Sequence, residues 1–67
     1  MSEVITMSGN VRIRARFASL DYSLATILMK DGQLRVVDAR NNIIAISNDY
    51  SVVIISDVFW VYLGQQR

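Results

Sequence analysis

Three arginines alternate with apolar residues in one short segment, and they are the residues of this sequence best suited to binding an anion. Arg12, Arg14 and Arg16 occupy the even positions of residues 11–17, and Val, Ile, Ala and Phe occupy the odd ones. A period of two is typical of a half-buried β-strand, so the pattern predicts three guanidinium groups on one solvent-facing side. Such a stripe can follow the phosphates of a nucleic acid. The alternative is a solvated strand face whose charges serve solubility and edge protection.

Aromatic residues offer a second kind of contact. Tyr22 lies in a segment that predicts a turn, where it could stack on a base or simply pack within the loop or at an interface. Phe59, Trp60 and Tyr62 lie near the C-terminus, and we interpret them as anchors of the core and of a subunit interface, where aromatic residues are enriched.

The residue types needed for most catalytic chemistry are missing. The sequence contains neither His nor Cys, which removes the usual general base, thiolate nucleophile and zinc ligands. The acidic residues are scattered and show no paired spacing, and three glycines form no phosphate-binding loop. We therefore expect no enzyme activity, no metal site and no cofactor.

The length of the chain predicts assembly. With 67 residues it forms one domain, residues 1–67, that buries only about 60% of the surface exposed by the unfolded chain. Small domains make up that deficit with disulfides, metals or subunit contacts, and only the last route is open here. Because 52% of the residues are hydrophobic, we expect a homo-oligomer.

The N-terminal residues, the longest apolar stretch and the net charge bear on where the protein is located and what it binds. Met1, Ser2 and Glu3 do not resemble the start of a signal peptide, and the apolar stretch at 52–63 is shorter than the roughly 20 residues that span a bilayer. We expect a cytoplasmic protein without a membrane partner. The net charge of +1 means that attraction to nucleic acid must come from local clusters.

Short strands separated by turn residues predict an all-β barrel. Strand candidates are residues 4–7, 11–17, 24–29, 34–37, 43–46, 52–55 and 58–63, with turns at 8–10, 20–23, 30–33, 40–42 and 48–49. Residues 51–63 are apolar on both sides and would be an aggregation hazard as a free edge. We predict that a neighbouring subunit covers this segment by strand addition, although a strand buried within one subunit would have the same pattern. The predicted interface residues are Val52, Ile54, Phe59, Trp60 and Tyr62.

The order of these features resembles the Sm and LSm proteins. The resemblance rests on apolar spacing in a first motif and a second motif, which together cover about half of the chain. The first motif falls on Asn10, Ile13, Ala15, Phe17, Leu20, Asp21, Leu24, Ala25 and Leu28. The second motif falls on residues 52–57 and the strand candidate at 58–63.

The resemblance implies a small, strongly bent five-stranded Sm-like (SH3-like) barrel, here without the family's N-terminal helix, whose edge strands pair into a closed ring. It also implies an RNA pocket on the inner rim, but Ala25 stands where the family has Asn and Ile55 where it has Arg. Ser23 takes the stacking position, next to Tyr22. Two alternatives stay open: a register in which the first barrel strand is 24–32, and strand extension or an added hairpin within 31–48.

These observations lead to two hypotheses. The first is a ring-forming Sm-like homo-oligomer that binds single-stranded RNA or DNA without catalysis, through Arg12, Arg14, Arg16, Tyr22 and Ser23. The second is a structural or protein-binding homo-oligomer of the same barrel that does not bind nucleic acid. Ring size does not follow from either hypothesis.

Overall fold

The regular structure of this protein consists of β-strands. The computed structural model describes residues 4–16 and 18–64, and no helix occurs in those ranges. The strands are β1 (Val4–Arg14), β2 (Ser19–Lys30), β3 (Gln33–Asp38), β4 (Ile43–Ser47), β5 (Tyr50–Ile55) and β6 (Val58–Leu63). The prediction of an all-β protein is confirmed.

All six strands belong to one mixed sheet, in the order β4-β3-β2-β1-β6-β5. Neighbouring strands are antiparallel except for β1 and β6, which are parallel. β4 and β5 form the two edges and do not pair with each other, so the sheet is not closed. The predicted five-stranded barrel is therefore not confirmed, since the sheet has six strands and two open edges. The sixth strand arises because residues 33–47 form a hairpin of their own, one of the alternatives left open.

A two-residue link determines the shape of the sheet. Asn48 and Asp49 join β4 to β5, although these strands lie at opposite ends of the strand order. Three Cα–Cα steps of 3.8 Å separate Ser47 from Tyr50, so the two edges lie within about 11 Å of each other at that end. The sheet must therefore roll until its edges almost meet.

The core lies inside this roll. Seven side chains of the described residues are buried, and both edge strands contribute partly buried residues to the same cluster, among them Ala45 of β4 and Val52 of β5. The buried residues are Val11, Ile13, Ala25, Ile27, Leu34, Val36 and Val61. They share one side of the sheet because paired residues face the same way and side chains alternate along a strand. The predicted alternation along β1 is confirmed for residues 11–14, while Phe17 lies outside the described residues.

A β-bulge replaces two of the predicted turns. Gly9 pairs with Ala25 and Val11 pairs with Tyr22, so β2 contains one residue more than β1 between these pairs. Because of the extra residue, the inward-facing positions of β2 have even numbers before the bulge, as at Tyr22, and odd numbers after it, as at Ala25 and Ile27. The predicted turns at 8–10 and 20–23 were wrong, because both segments continue as strand. The chain reverses instead between the end of β1 and the start of β2, where the N–H of Ala15 donates to the carbonyl of Ala18 at 2.8 Å.

Two tight hairpins have the positive φ angles that are typical of type I′ turns. Both central residues have positive φ in the β2–β3 turn, 54° for Asp31 and 76° for Gly32, and in the β5–β6 turn, 51° for Ser56 and 62° for Asp57. Such turns match the right-handed twist of the paired strands. The predicted turn at 30–33 is confirmed.

The β3–β4 turn is organised by a carboxylate. Asp38 Oδ1 accepts hydrogen bonds from the backbone N–H groups of Arg40 and Asn42, both at 2.9 Å. These bonds favour the charged form, and the one from Asn42 has the largest effect in lowering the pKa of Asp38 below its ordinary value of 3.8.

Replacing Asp38 with Asn should make the stability difference between the two proteins depend on pH. Because the folded-state pKa of Asp38 is lowered, the charge stabilises the fold above about pH 4, and this contribution is lost as the pH falls through the folded-state pKa. The melting temperature of Asp38→Asn, followed by circular dichroism from pH 2.5 to 6, should be lower than that of the wild type at pH 6 and converge with it in acid. A difference that stays constant with pH would contradict this role.

Substituting Gly9 with Ala should destabilise the protein by about 1–3 kcal/mol. Gly9 has a φ of 152°, and a Cβ at this position would lie 3.1 Å from Cε2 of Phe59. Urea unfolding of Gly9→Ala measures the cost. In a Phe59→Leu background the same substitution should cost less, because the shorter side chain relieves the contact while the backbone strain remains. Equal costs in both backgrounds would show that the Phe59 contact has no effect.

Candidate nucleic-acid interface

The parallel pairing of β1 with β6 brings arginines and aromatic residues together on the outside of the roll. Arg12 pairs with Trp60 and Arg14 pairs with Tyr62. The intervening Ile13 and Val61 point into the core, so these four side chains lie on the opposite, solvent-facing side. We call this group, Arg12, Arg14, Trp60 and Tyr62, the arginine–aromatic patch.

Both guanidinium groups of the patch contact the same ring. The Cζ atom of Arg12 lies 4.7 Å from the centroid of the Trp60 ring, and that of Arg14 lies 5.6 Å from it. Both distances are within the range of a cation–π interaction. The rings of Trp60 and Tyr62 are stacked, with centroids 6.4 Å apart and planes inclined by 17°. The patch therefore combines two positive charges with an ordered aromatic surface.

An acidic residue holds one of the arginines. The Nε of Arg12 donates to Oδ1 of Asp21 at 2.8 Å, and the side chains of the pair are 39% and 66% exposed. An ion pair this exposed contributes about 0–1 kcal/mol to stability. Its main effect is to orient Arg12 and to neutralise part of its charge. Within the described residues Arg14 makes no ion pair, so its charge is the more available of the two.

The structure separates the predicted arginine stripe into two parts. Arg12 and Arg14 lie side by side on the outer side of β1. Arg16 is exposed but follows the end of β1 and lies in the turn to β2, so strand alternation no longer places it on the outer side of the sheet.

Tyr22 and Ser23 lie beside the β1–β2 bulge. Tyr22 is half-buried and packs against the core cluster from within β2, whereas Ser23 is exposed. Both residues line a groove that also includes Arg12 and its partner Asp21. The groove thus connects the predicted residues of β2 with one end of the arginine–aromatic patch.

The predicted interface residues fall into three environments. Val52 and Phe59 are half-buried against the core, and Trp60 and Tyr62 belong to the arginine–aromatic patch. Ile54 is 61% exposed on the edge strand β5. Its neighbours Val53 and Ile55, which the sequence analysis did not select, are also exposed, at 44% and 50%. The continuous apolar run at 52–55 was the sequence signal for them.

Sequence reasoning missed two features of the site. It did not identify Asp21 as the partner of Arg12, and it assigned Trp60 and Tyr62 to an interface rather than to the arginines. No local pattern indicates these contacts, because the order of strands across the sheet creates them.

Comparison with protein-family models, curated proteins and solved structures found no match. The resemblance to the Sm and LSm family therefore stays a prediction. In the part of the chain that the structure describes, no cluster of His, Cys, Asp or Glu could hold a metal ion. The same residues include no helix long and apolar enough to cross a membrane.

Replacing Arg12 and Arg14 together with Ser should expose the Trp60 ring to solvent. Trp60 is the single tryptophan of the chain, so quenching of its fluorescence by acrylamide reports on this ring alone. The quenching constant should rise in the double variant, because two side chains that lie over the ring are shortened. Arg35→Ser, on β3 and remote from the patch, is the control and should leave the constant unchanged. Equal quenching in all three proteins would contradict the described contacts.

Proposed function

We propose that this protein is a homo-oligomer that binds single-stranded RNA or DNA, without catalysis, through the arginine–aromatic patch. The observation that carries the proposal is the placement of both Arg12 and Arg14 against Trp60, on the solvent-facing side of the sheet. Single-stranded nucleic acid needs the two chemistries found there: cations for its phosphates and aromatic surfaces for its bases.

The two arginines contribute differently to this binding. Arg14 offers a guanidinium without an acidic partner among the described residues, so it is the first contact for a phosphate. Arg12 is held by Asp21 at 2.8 Å and must exchange that carboxylate for a phosphate or bind while paired. The stacked rings of Trp60 and Tyr62 lie next to both arginines. Because both guanidinium groups lie over Trp60, a base stacks on this ring only when a guanidinium moves from the ring to a phosphate. The groove beside Arg12 extends the contact toward Tyr22 and Ser23.

The resemblance to the Sm and LSm family supports the class of ligand but not the family's pocket. Ala25, which stands at the position of the family's base-binding Asn, is only 1% exposed and belongs to the core. Ile55, at the position of the family's Arg, carries no charge. The proposed binding therefore uses a different surface, the arginine–aromatic patch. This surface belongs to a rolled sheet with two open edges and not to a closed five-stranded barrel.

Assembly is the part of the proposal shared with the second hypothesis, a structural homo-oligomer without a nucleic-acid ligand. The observation that favours assembly is the run of exposed apolar residues on the edge strand β5, Val53, Ile54 and Ile55. Exposed apolar edges promote association with other strands. The two hypotheses differ only in whether the arginine–aromatic patch has a ligand.

Removing the arginines of the patch should weaken oligonucleotide binding. We expect Arg12→Ser combined with Arg14→Ser to raise the Kd for a labelled single strand about tenfold at low salt, equivalent to about 1.4 kcal/mol. Losing two phosphate contacts should also reduce the slope of log K against log salt by about 1.4. Fluorescence anisotropy with RNA and DNA at several salt concentrations measures both quantities.

The matched control removes the same charge elsewhere. Lys30 and Arg35 lie near the β2–β3 hairpin, at the end of β2 opposite Asp21, and Lys30→Ser combined with Arg35→Ser also lowers the net charge by two. This control should still bind the oligonucleotide, and its Kd should rise less than that of the Arg12→Ser and Arg14→Ser double variant. A third variant, Asp21→Asn, should bind more tightly than the wild type because Arg12 loses its competing carboxylate. If the wild type does not bind, or if both double variants lose binding equally, the patch is not the site.

A further inference from the structure

We propose that two copies of this chain join along their β5 edges, antiparallel and related by a two-fold axis, so that their sheets become one continuous sheet. This inference rests on the proposed self-assembly and adds the surface and symmetry through which it occurs. The partner is a second copy of the same chain, and each copy contributes the same strand.

The backbone of β5 has hydrogen-bonding groups directed away from the sheet. The N–H of Gly64 donates to the carbonyl of Asp49 at 2.8 Å, which makes these two residues a hydrogen-bonded pair between β6 and the start of β5. Because such pairs alternate along antiparallel strands, Tyr50, Val52 and Ile54 direct their N–H and C=O groups away from β6. No described strand pairs with β5 on that side. Three residues therefore present donors and acceptors to an added strand.

The side chains of β5 do nothing to prevent such pairing. Natural edge strands are protected by Lys, Pro, inward-pointing charges or bulges. β5 contains no charged residue and no proline, and it pairs with β6 over six residues without a register shift. Its last three residues are exposed apolar side chains. Because the strand is uncharged, two copies can pair side by side without like-charge repulsion within the strand.

The other edge of the sheet is less suitable. β4 is five residues long, and its register with β3 shifts between Val36 and Val37, which places an extra residue, Ile44, in β4. A bulge bends an edge strand and interrupts its regular row of backbone groups. This irregularity favours pairing of β5 with β5 over pairing of β5 with β4.

The short link between β4 and β5 also favours an assembly that uses only one edge of each copy. At Asn48 and Asp49 the two edges lie within about 11 Å of each other. If one strand is added between β4 and β5, these two edges must be two strand spacings apart, about 10 Å. If a strand is added to each edge, they must be three spacings apart, about 14 Å. A closed ring uses both edges of every subunit, and a two-fold dimer uses only one. The upper limit of about 11 Å therefore excludes strands added to both edges at this end, as a closed ring would require, and is compatible with a strand added to one edge.

The paired sheets would extend the proposed binding surface. A two-fold axis perpendicular to the sheet keeps the outer side of both copies on the same side. Three strand spacings, about 14 Å, then separate the two β6 strands that carry Trp60, and five spacings, about 24 Å, separate the two β1 strands that carry Arg12. One single strand of nucleic acid could contact both patches.

Cysteine cross-linking tests the symmetry directly, since the wild-type chain contains no Cys. In an antiparallel two-fold pair, one residue lies opposite its own copy with Cα atoms about 4.5–5.5 Å apart, which is within disulfide range. We expect one of the single variants Val52→Cys, Val53→Cys and Ile54→Cys to form a covalent dimer on mild oxidation. The matched control is Ile46→Cys on β4, which is 50% exposed and should stay monomeric under denaturing conditions.

Three results would overturn the inference. Covalent dimers that form only when Val53→Cys is mixed with Ile46→Cys would show pairing of β5 with β4, as in a ring or an open chain. An oligomer by light scattering with no cross-link from any of the three β5 variants would place the interface elsewhere. A monomeric wild-type protein without cross-links would overturn self-assembly as well. A β5-linked dimer that fails to bind oligonucleotide would support the two-fold pairing and reject the proposed ligand.

Discussion

The connection of β4 to β5 constrains the whole of this structure. Two residues, Asn48 and Asp49, cross between strands that lie at opposite ends of the strand order. A flat sheet cannot accommodate so short a link, so the sheet rolls, and its concave side closes around the apolar residues. A second layer of structure is then unnecessary for the core. Leu34, Val36 and Val61 reach 0% exposure inside a single rolled sheet.

The rolled sheet also determines which side chains lie on its outer side. Residues that alternate with the core positions must face solvent, and on β1 these include Arg12 and Arg14. After β5 has crossed to the far edge, the tight turn at Ser56 and Asp57 brings β6 back beside β1 in the parallel direction. Trp60 thereby lies next to Arg12 and Arg14 on the outer side. The arginine–aromatic patch is thus a consequence of the strand order, and each of its members alternates with a core residue.

Incomplete closure of the sheet is the physical reason for the proposed assembly. A chain of 67 residues has few side chains to bury, and the seven that are buried in the described part of the chain form a small core. The rolled sheet also retains two edges, one interrupted by a bulge and one regular, uncharged and apolar. The proposed association along the regular edge would satisfy its backbone groups and remove apolar surface from water, which the isolated chain cannot do.

Several local elements of this protein can be predicted from its sequence, whereas the way they combine depends on tertiary packing. Alternation identified residues 11–14 as a half-buried strand, and the Asp31-Gly32 pair identified a hairpin, because both signals depend only on neighbouring residues. Turn-forming residues near Gly9 and Tyr22 were misread, since a bulge and a chain reversal require the same permissive residues. The contacts of Arg12 with Asp21 and Trp60 had no sequence signal at all. They depend on which strands become neighbours, and that order follows from the packing of the whole sheet around its core.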